Sequence, residues 1–194
     1  MKIGVLALQG AFIEHEKMLR SLGAQTAEVR LPQHLEGLDG LIIPGGESTT
    51  IGKLATQYGL IEPLRRFASA TPTWGTCAGL IFLAKDIGIE HQPILGVMDA
   101  KVNRNAFGRQ VDSFEVDLPI PALGDTPFHA VFIRAPLVES VSGDAQVLAT
   151  LADGRIVAVQ QNHLLGTAFH PELTGDTRLH KYFMEIVAKT PKSL

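Results

Sequence analysis

Short apolar runs in the first half of the chain constrain its fold more than any other feature. Residues 3–8 and 41–43 are almost continuously apolar, residues 27–31 form a weaker run, and glycine or proline follows each one closely. Such runs are typical of parallel strands that are buried on both faces. Apolar residues at helical spacing lie between the first two runs, at 12–22, and after the last one, at 49–57 and 61–68. This alternation predicts an α/β fold built on a parallel sheet.

The second half of the chain is richer in strands. We predict strands at 97–102, 114–118, 130–133, 147–151, 156–160 and 164–169, and a closing amphipathic helix at 176–188. Asp153-Gly154 between two of these runs predicts a hairpin turn. Neither a repeat nor a linker divides the sequence, so we expect one domain over residues 1–194.

Charge and hydrophobicity exclude several classes of protein. The 194 residues include 17 Lys and Arg against 20 Asp and Glu, a net charge of −3, which argues against a nucleic-acid coat or a polybasic membrane anchor. Hydrophobic residues make up 45% and charged residues 19%, which excludes a disordered chain. No apolar run has the length of a membrane span, and residues 1–8 fit a buried strand better than a signal peptide. We therefore expect a cytoplasmic protein.

The chain has a single cysteine, Cys77, which excludes an intrachain disulfide and a multi-cysteine zinc site. It lies in Gly75-Thr76-Cys77-Ala78-Gly79, between an apolar strand and an apolar helix. Glycines at this spacing allow the sharp turn that exposes a nucleophile. The start of the following helix favours a thiolate, and the N–H of Ala78 is placed to stabilise an oxyanion. A buried structural cysteine is the alternative.

A thiolate nucleophile needs a base, and His170 has the most suggestive context of the seven histidines. It follows a predicted strand and precedes Pro171 and Glu172. In an extended chain, residues i and i+2 point to the same side, so Glu172 is placed to orient the imidazole. Nucleophile, base and orienting carboxylate form a triad. The alternative is a histidine at a strand end beside a solvated glutamate, and most of the other histidines are expected on the surface or in loops.

Pro44-Gly45-Gly46-Glu47-Ser48 lies at the carboxyl end of a predicted strand, where open α/β sheets bind ligands. Glycine allows close backbone approach, so the Gly46 N–H is a candidate second oxyanion donor. Glu47 and Ser48 are candidates to bind an amino or carboxylate group of the substrate. A plain turn with Ser48 as the helix N-cap is the alternative. The spacing fits neither a dinucleotide fingerprint nor a P-loop.

Together these segments resemble the class I, triad-type glutamine amidotransferases, and most closely the PdxT family of glutaminase subunits of pyridoxal 5′-phosphate synthase. The resembling segments are residues 4–10, 44–50, 75–81, 104–110, 132–136 and 169–174, in the family's order. The cysteine turn at 75–79 and His-Pro-Glu at 170–172 are shared by the wider class of glutamine amidotransferases. Leu-Gln-Gly at 8–10, Gly-Gly-Glu-Ser-Thr-Thr at 45–50 and Arg-Asn-x-Phe-Gly-Arg-Gln at 104–110 are more particular to the PdxT family.

The resemblance implies a three-layer α/β/α fold with a mostly parallel central sheet, flavodoxin-like, and hydrolysis of the glutamine side-chain amide without cofactor or metal. Cys77 would form a glutamyl thioester, His170 would protonate ammonia and then activate water, and Glu172 would orient His170. Backbone N–H groups of Gly46 and Ala78 would hold the oxyanion. The implied L-glutamine site is Gly46, Glu47, Ser48, Arg104, Ile133 and Arg134.

The resemblance also implies a partner, a PdxS-type synthase subunit that receives ammonia within a hetero-oligomeric complex. The sequence departs from the family pattern at Asn103, where Glu is usual, and at Ala106, where Ser is usual. Both departures flank Arg104 and put contacts of that loop in doubt.

Three other functions stay open from the residues alone: ammonia supply to a different synthase, hydrolysis of another amide or ester, and binding without catalysis. Paired arginines and Glu47 favour an amino-acid substrate over an apolar one. Zinc deaminase chemistry is disfavoured, because His-x-Glu occurs without Cys-x-x-Cys.

Overall fold

A computed structural model describes residues 1–104 and 113–191, and within them ten strands form one sheet and two more form a hairpin. The strands are Lys2–Leu6 (β1), Gln25–Val29 (β2), Gly40–Ile43 (β3), Thr73–Thr76 (β4), Ala84–Asp86 (β5), Met98–Asn103 (β6), Ser113–Leu118 (β7), Phe128–Ile133 (β8), Leu137–Val141 (β9), Gln146–Thr150 (β10), Ile156–Gln161 (β11) and Leu164–Thr167 (β12). The α-helices are Phe12–Ser21 (α1), Ser48–Gln57 (α2), Ile61–Ala70 (α3), Ala78–Leu83 (α4) and Arg178–Lys189 (α5). Short 3₁₀ turns lie at Pro32–Leu35, Pro121–Leu123 and Pro171–Leu173.

The first half of the sheet is parallel. Its strands lie in the order β2-β1-β3-β4-β12, and each neighbouring pair is parallel. This order, with the first strand between the second and third, is typical of flavodoxin-like doubly wound folds. The continuous apolar runs explain it, since β1 and β3 are buried almost throughout. The expected mostly parallel α/β/α fold is confirmed.

The far half of the sheet is largely antiparallel, through β12-β11-β9-β6, with β10 paired to β11 across the predicted Asp153-Gly154 turn. Two strands were not expected. β5 is three residues long and follows α4 directly within one apolar run, and β9 has only one fully buried residue, Val138. Strands so short or so exposed leave little hydrophobic pattern to recognise.

Helices cover both faces of β4, the strand that leads into Cys77. Trp74 and Thr76 face α1 and α5, where they contact His15 and His180. Gly75 faces α4 so closely that a Cβ atom built on it would lie 2.4 Å from the carbonyl carbon of Gly79. Alternate residues of a strand point to opposite faces, so this short strand contacts both helical layers.

The carboxyl ends of β1, β3, β4 and β12 meet at one edge of the sheet, because these strands are mutually parallel. The chain segments that follow them carry Gln9, Gly45, Cys77 and His170. Open α/β sheets bind ligands at this edge. No helix within the described ranges is long and apolar enough to cross a membrane.

Candidate active site

Cys77 occupies a strained turn between β4 and α4. Its φ of 48° and ψ of −106° lie outside the regions that ordinary residues prefer. The turn is fixed on both sides: the Cys77 N–H donates to the carbonyl of Thr167 at 2.8 Å, and the Leu80 N–H donates to the carbonyl of Cys77 at 3.1 Å. Cys77 as a whole residue is 6% exposed. The predicted strand–turn–helix arrangement is therefore present, with the side chain at the edge of the sheet.

His170 and Glu172 are in contact, as the sequence predicted. Nδ1 of His170 lies 2.7 Å from Oε1 of Glu172, and both side chains are buried. The expected extended geometry is wrong, however, because Pro171 begins a 3₁₀ turn that carries Glu172. Proline favours this first position, since its fixed φ suits a helical turn and no N–H is needed there. The His170 N–H donates to the carbonyl of Val131 on β8 at 2.8 Å, which anchors the turn.

The imidazole of His170 faces Cys77 across Gly45. Burial of His170 opposes its charged form, but hydrogen bonds to Cys77 and Glu172, with their negative charges, raise its pKa to about 10. The imidazole is therefore protonated at neutral pH when it faces a thiolate. Such an imidazolium stabilises the thiolate and holds a proton ready for a leaving group.

The loop after β3 is held by the loop after β1. The carbonyl of Gly45 accepts a hydrogen bond from the Ala11 N–H at 3.1 Å, and the N–H of Glu47 donates to Oε1 of Gln9 at 2.7 Å. In a trans peptide the N–H points opposite to the carbonyl, so the Gly46 N–H is directed away from Ala11. Sequence reasoning assigned no role to Gln9, although Gly10, with φ of 101°, marks a turn that only glycine adopts easily.

Glu47 caps α2. Its carboxylate accepts hydrogen bonds from the N–H groups of Thr49 at 3.0 Å and Thr50 at 2.6 Å, and from the Thr50 hydroxyl. Partial burial opposes ionisation, but these hydrogen bonds outweigh it and lower the pKa of Glu47 to about 2. The alternative that Ser48 caps this helix is wrong, because Ser48 is the buried first residue of α2.

Arg104 and Ile133 lie at the rim of the site. The Arg104 guanidinium is 3.5 Å from Oε1 of Glu47 and also bonds Gln92, and Sγ of Cys77 is 3.9 Å from the carbonyl oxygen of Ile133. Ile133 is 40% exposed. Arg134 follows with a left-handed φ of 44°.

The two departures from the family pattern have different outcomes. The Asn103 amide donates to Oε1 of Glu139 on β9 at 2.9 Å, which places its side chain on the antiparallel part of the sheet. Ala106 lies outside the described residues.

Two histidines to which the sequence assigned no individual role are fully buried beneath this site. His15 on α1 and His180 on α5 are each 0% exposed, and Nδ1 of His15 lies 2.9 Å from Nε2 of His180. The sequence contains only a weak indication of this burial, because a single histidine on an amphipathic helix is compatible with either the buried or the exposed face.

The chain is similar to a family of known proteins over nearly its whole length. The model of the SNO glutamine amidotransferase family matches residues 5–189. The pyridoxal 5′-phosphate synthase subunit PdxT of Herpetosiphon aurantiacus is 61% identical over 95% of this chain and 99% of its own length. The protein of the same name from Moorella thermoacetica is 60% identical over 96% of this chain and its full length.

Solved structures show the same fold. A crystal structure described as a glutamine amidotransferase has a TM-score of 0.90 and 53% identity, covering 96% of this chain and 98% of its own. The structure of PurLQS from Thermotoga maritima includes a chain with a TM-score of 0.69 at 16% identity, covering 95% of this chain and 97% of its own. At 16% identity, the similarity to the PurLQS chain shows the fold alone.

Proposed function

The chain belongs to the SNO glutamine amidotransferase family, and we propose that it is the glutaminase subunit of a pyridoxal 5′-phosphate synthase. In this role it hydrolyses L-glutamine to L-glutamate and ammonia and supplies the ammonia to a PdxS-type synthase subunit. The observation that carries the proposal is the position of His170, between the Cys77 thiol and the Glu172 carboxylate.

Cys77, His170 and Glu172 act as the catalytic triad. The Cys77 thiolate attacks the side-chain carboxamide carbon of glutamine, and the carbonyl oxygen becomes an oxyanion that accepts hydrogen bonds from the N–H groups of Gly46 and Ala78. The imidazolium of His170 gives its proton to the departing nitrogen, so ammonia leaves and a glutamyl thioester forms. Neutral His170 then takes a proton from water, which attacks the thioester, and returns it to the cysteine sulfur as glutamate leaves.

The Ala78 N–H is available because it lies in the first turn of α4, where backbone N–H groups have no partner within the helix. The Gly46 N–H is available because its peptide is held through the Gly45 carbonyl, on the side of Ala11. In the proposed mechanism both donors bind the same oxygen, which favours the tetrahedral state over the planar amide.

Charged side chains at the rim of the active site explain why the site would select glutamine. Glu47 is ionised over the whole physiological range and suits the α-ammonium group of the substrate, while Arg104 and Arg134 suit its α-carboxylate. The proposed binding set is Gly46, Glu47, Ser48, Arg104, Ile133 and Arg134. This set favours an amino acid over an apolar amide or ester.

The proposed partner rests on the relatives, since those of Herpetosiphon aurantiacus and Moorella thermoacetica are named as subunits of pyridoxal 5′-phosphate synthase. We propose that residues 1–194 act as one glutaminase domain within such a hetero-oligomer. A cytoplasmic location suits a catalytic thiol, because it must remain reduced.

The test is glutamine hydrolysis by the chain with and without its cognate PdxS-type partner, measured as glutamate and ammonia. We expect turnover with the partner, none for Cys77→Ala, and covalent labelling of Cys77 by a glutamine-mimicking electrophile. Ester turnover without glutamine turnover, or ammonia release by the Cys77→Ala complex, would overturn the proposal.

A further inference from the structure

Glu172 has two carboxylate oxygens, and the proposed triad uses one of them. Oε1 lies 2.7 Å from His170 Nδ1 on one side. On the other side, Oε2 lies 3.4 Å from Nε2 of His15, and both of these side chains are 0% exposed. Among the described residues, Oε2 has no partner that meets hydrogen-bond geometry. A buried carboxylate oxygen therefore faces one ring nitrogen of a second histidine.

His15 is enclosed by groups from three elements. Thr76 of β4 places its hydroxyl 3.3 Å from Nε2, His180 of α5 places Nε2 2.9 Å from Nδ1, and Trp74 contacts the ring edge with centroids 5.7 Å apart. The carboxylate of Glu172, from the 3₁₀ turn, is the charged group in contact with the ring. His15 thus links the triad to the helical layer beneath it.

Both buried histidines are neutral at pH 7. Burial, with smaller contributions from His180 and His170, holds the pKa of His15 well below its usual range. Burial lowers the pKa of His180 to about 4. A neutral imidazole carries one N–H and one bare nitrogen, so the pair has a definite tautomer state.

The geometry selects that tautomer state. If His15 donated from Nδ1 to His180, its bare Nε2 lone pair would face the Glu172 carboxylate, and His180 would bury an N–H at Nδ1. Nδ1 of His180 has no partner within the described chain. If His180 instead donates from Nε2 to Nδ1 of His15, the Nε2–H of His15 is free to donate to the Thr76 hydroxyl at 3.3 Å, and its positive end lies beside Oε2 of Glu172, which is 3.4 Å from Nε2. The second arrangement leaves only a bare nitrogen unsatisfied, which costs less than repulsion plus a buried orphan donor.

We propose that His15 is a positioning residue for the catalytic carboxylate: the positive end of its Nε2–H attracts Oε2 of Glu172 at 3.4 Å without a full hydrogen bond, so that Oε1 faces Nδ1 of His170. This inference rests on the proposed function, because it extends the triad from Cys77, His170 and Glu172 to His15, with His180 fixing its tautomer. A carboxylate that bonds one imidazole and is attracted by a second keeps the ring of His170 oriented toward the thiol through both halves of the reaction.

The tautomer is tested directly by nitrogen-15 NMR of the histidine-labelled chain at pH 7. We expect both His15 and His180 to carry their proton on Nε2. Protonation of His15 on Nδ1 would overturn the inference whatever the activity of the enzyme.

The positioning role is tested by two substitutions in the complex with the synthase partner. His15→Leu removes the N–H at similar volume, and we expect kcat for glutamine to fall by about tenfold or more while KM changes by less than about twofold. His15→Gln keeps an N–H donor, and it should recover kcat to within about threefold of the wild type. His163→Leu is the matched control, since His163 is a partly buried histidine that bonds the Ala68 carbonyl away from the site.

A second measurement uses the isolated chain and needs no glutamine turnover. The rate of Cys77 alkylation by iodoacetamide reports the thiolate that His170 stabilises. We expect the pH of half-maximal alkylation to rise in His15→Leu and to stay at the wild-type value in His15→Gln. If His15→Leu fails to fold, His15→Met replaces it.

The outcomes separate the two proposals. A wild-type complex that does not hydrolyse glutamine overturns the proposed function. The tautomer and alkylation measurements would still test whether His15 positions Glu172. Wild-type kcat and alkylation in His15→Leu, or equal losses in His15→Leu and His15→Gln, would overturn the positioning role and leave the glutaminase proposal intact.

Discussion

Gly45 lies so close to His170 that no side chain fits between them. A Cβ atom built on Gly45 would lie 2.4 Å from Cε1 of His170 and 3.3 Å from Cβ of Cys77. The imidazole has no room to retreat, because Glu172 holds its Nδ1 at 2.7 Å. The glycine therefore sets the distance between the proposed base and the nucleophile.

We expect Gly45→Ala to lower kcat/KM for glutamine by about a hundredfold, because a displacement of about 1 Å at a catalytic group has an effect of this size. The fall in kcat/KM is measured from the rate of glutamine hydrolysis with the synthase partner present. Gly175→Ala is the control, since no atom of the described residues lies within 4 Å of a Cβ at Gly175. Near-normal activity of Gly45→Ala, with the control also normal, would show that His170 is not held where this geometry requires.

Cys77 combines a reactive thiol with a strained backbone, and substitutions distinguish the effect of each on activity and on stability. We expect Cys77→Ala and Cys77→Gly both to abolish glutamine hydrolysis. Glycine tolerates the φ of 48° better than alanine does, so Cys77→Gly should be more stable than Cys77→Ala by about 1 kcal/mol, after its larger unfolded-state entropy is included. Urea unfolding of both variants measures the difference. A more stable alanine variant would mean that the turn carries no strain.

The sequence predicted the parallel half of the fold and the contact between His170 and Glu172 because those signals are local. A buried strand such as β3 is recognised by its consecutive apolar residues. The sharp turn at Cys77 is recognised by two glycines at fixed spacing. The pairing of His170 with Glu172 was predicted through an extended chain rather than the observed 3₁₀ turn. Either conformation brings residues two apart together, so the pattern alone did not distinguish them.

The layer beneath the triad was not predictable, because it depends on contacts between distant elements. His15 and His180 are separated by 165 residues and meet only after α1 and α5 pack on the same face of the sheet. α5 contributes its histidine to an otherwise apolar face, whereas α1 buries His15 beside Glu16 and Leu19, and nothing local marks either histidine as buried. The antiparallel strand β9 was not predictable because Val138 is its one fully buried residue, which leaves little local pattern.

Arg104 should act on substrate binding more than on chemistry. Its guanidinium approaches Glu47 at 3.5 Å on the rim of the site, with no described contact to the thiol. We expect Arg104→Gln to raise KM for glutamine by about tenfold, equivalent to about 1.4 kcal/mol, and to change kcat much less. Arg155→Gln is the control, because Arg155 pairs with Asp153 on a distant hairpin. A fall in kcat at unchanged KM would contradict a binding role.

The buried ring of His180 makes the stability of the protein sensitive to mild acid. Burial lowers its pKa to about 4 in the folded state, whereas an unfolded histidine titrates near 6.5. Below about pH 6.5 the unfolded chain therefore binds a proton that the folded chain does not, and the free energy of unfolding falls as the pH falls toward 4.

At pH 5 the loss attributable to His180 amounts to about 2 kcal/mol relative to pH 7.5. We expect His180→Leu to lose correspondingly less stability over this interval, whatever its stability at pH 7.5. Urea unfolding at pH 7.5, 6 and 5 measures both slopes, and the value at pH 7.5 is the internal reference for each protein. Equal slopes would show that His180 becomes protonated within the folded protein as readily as in the unfolded chain, and that its burial in the layer beneath the triad does not exclude the charge.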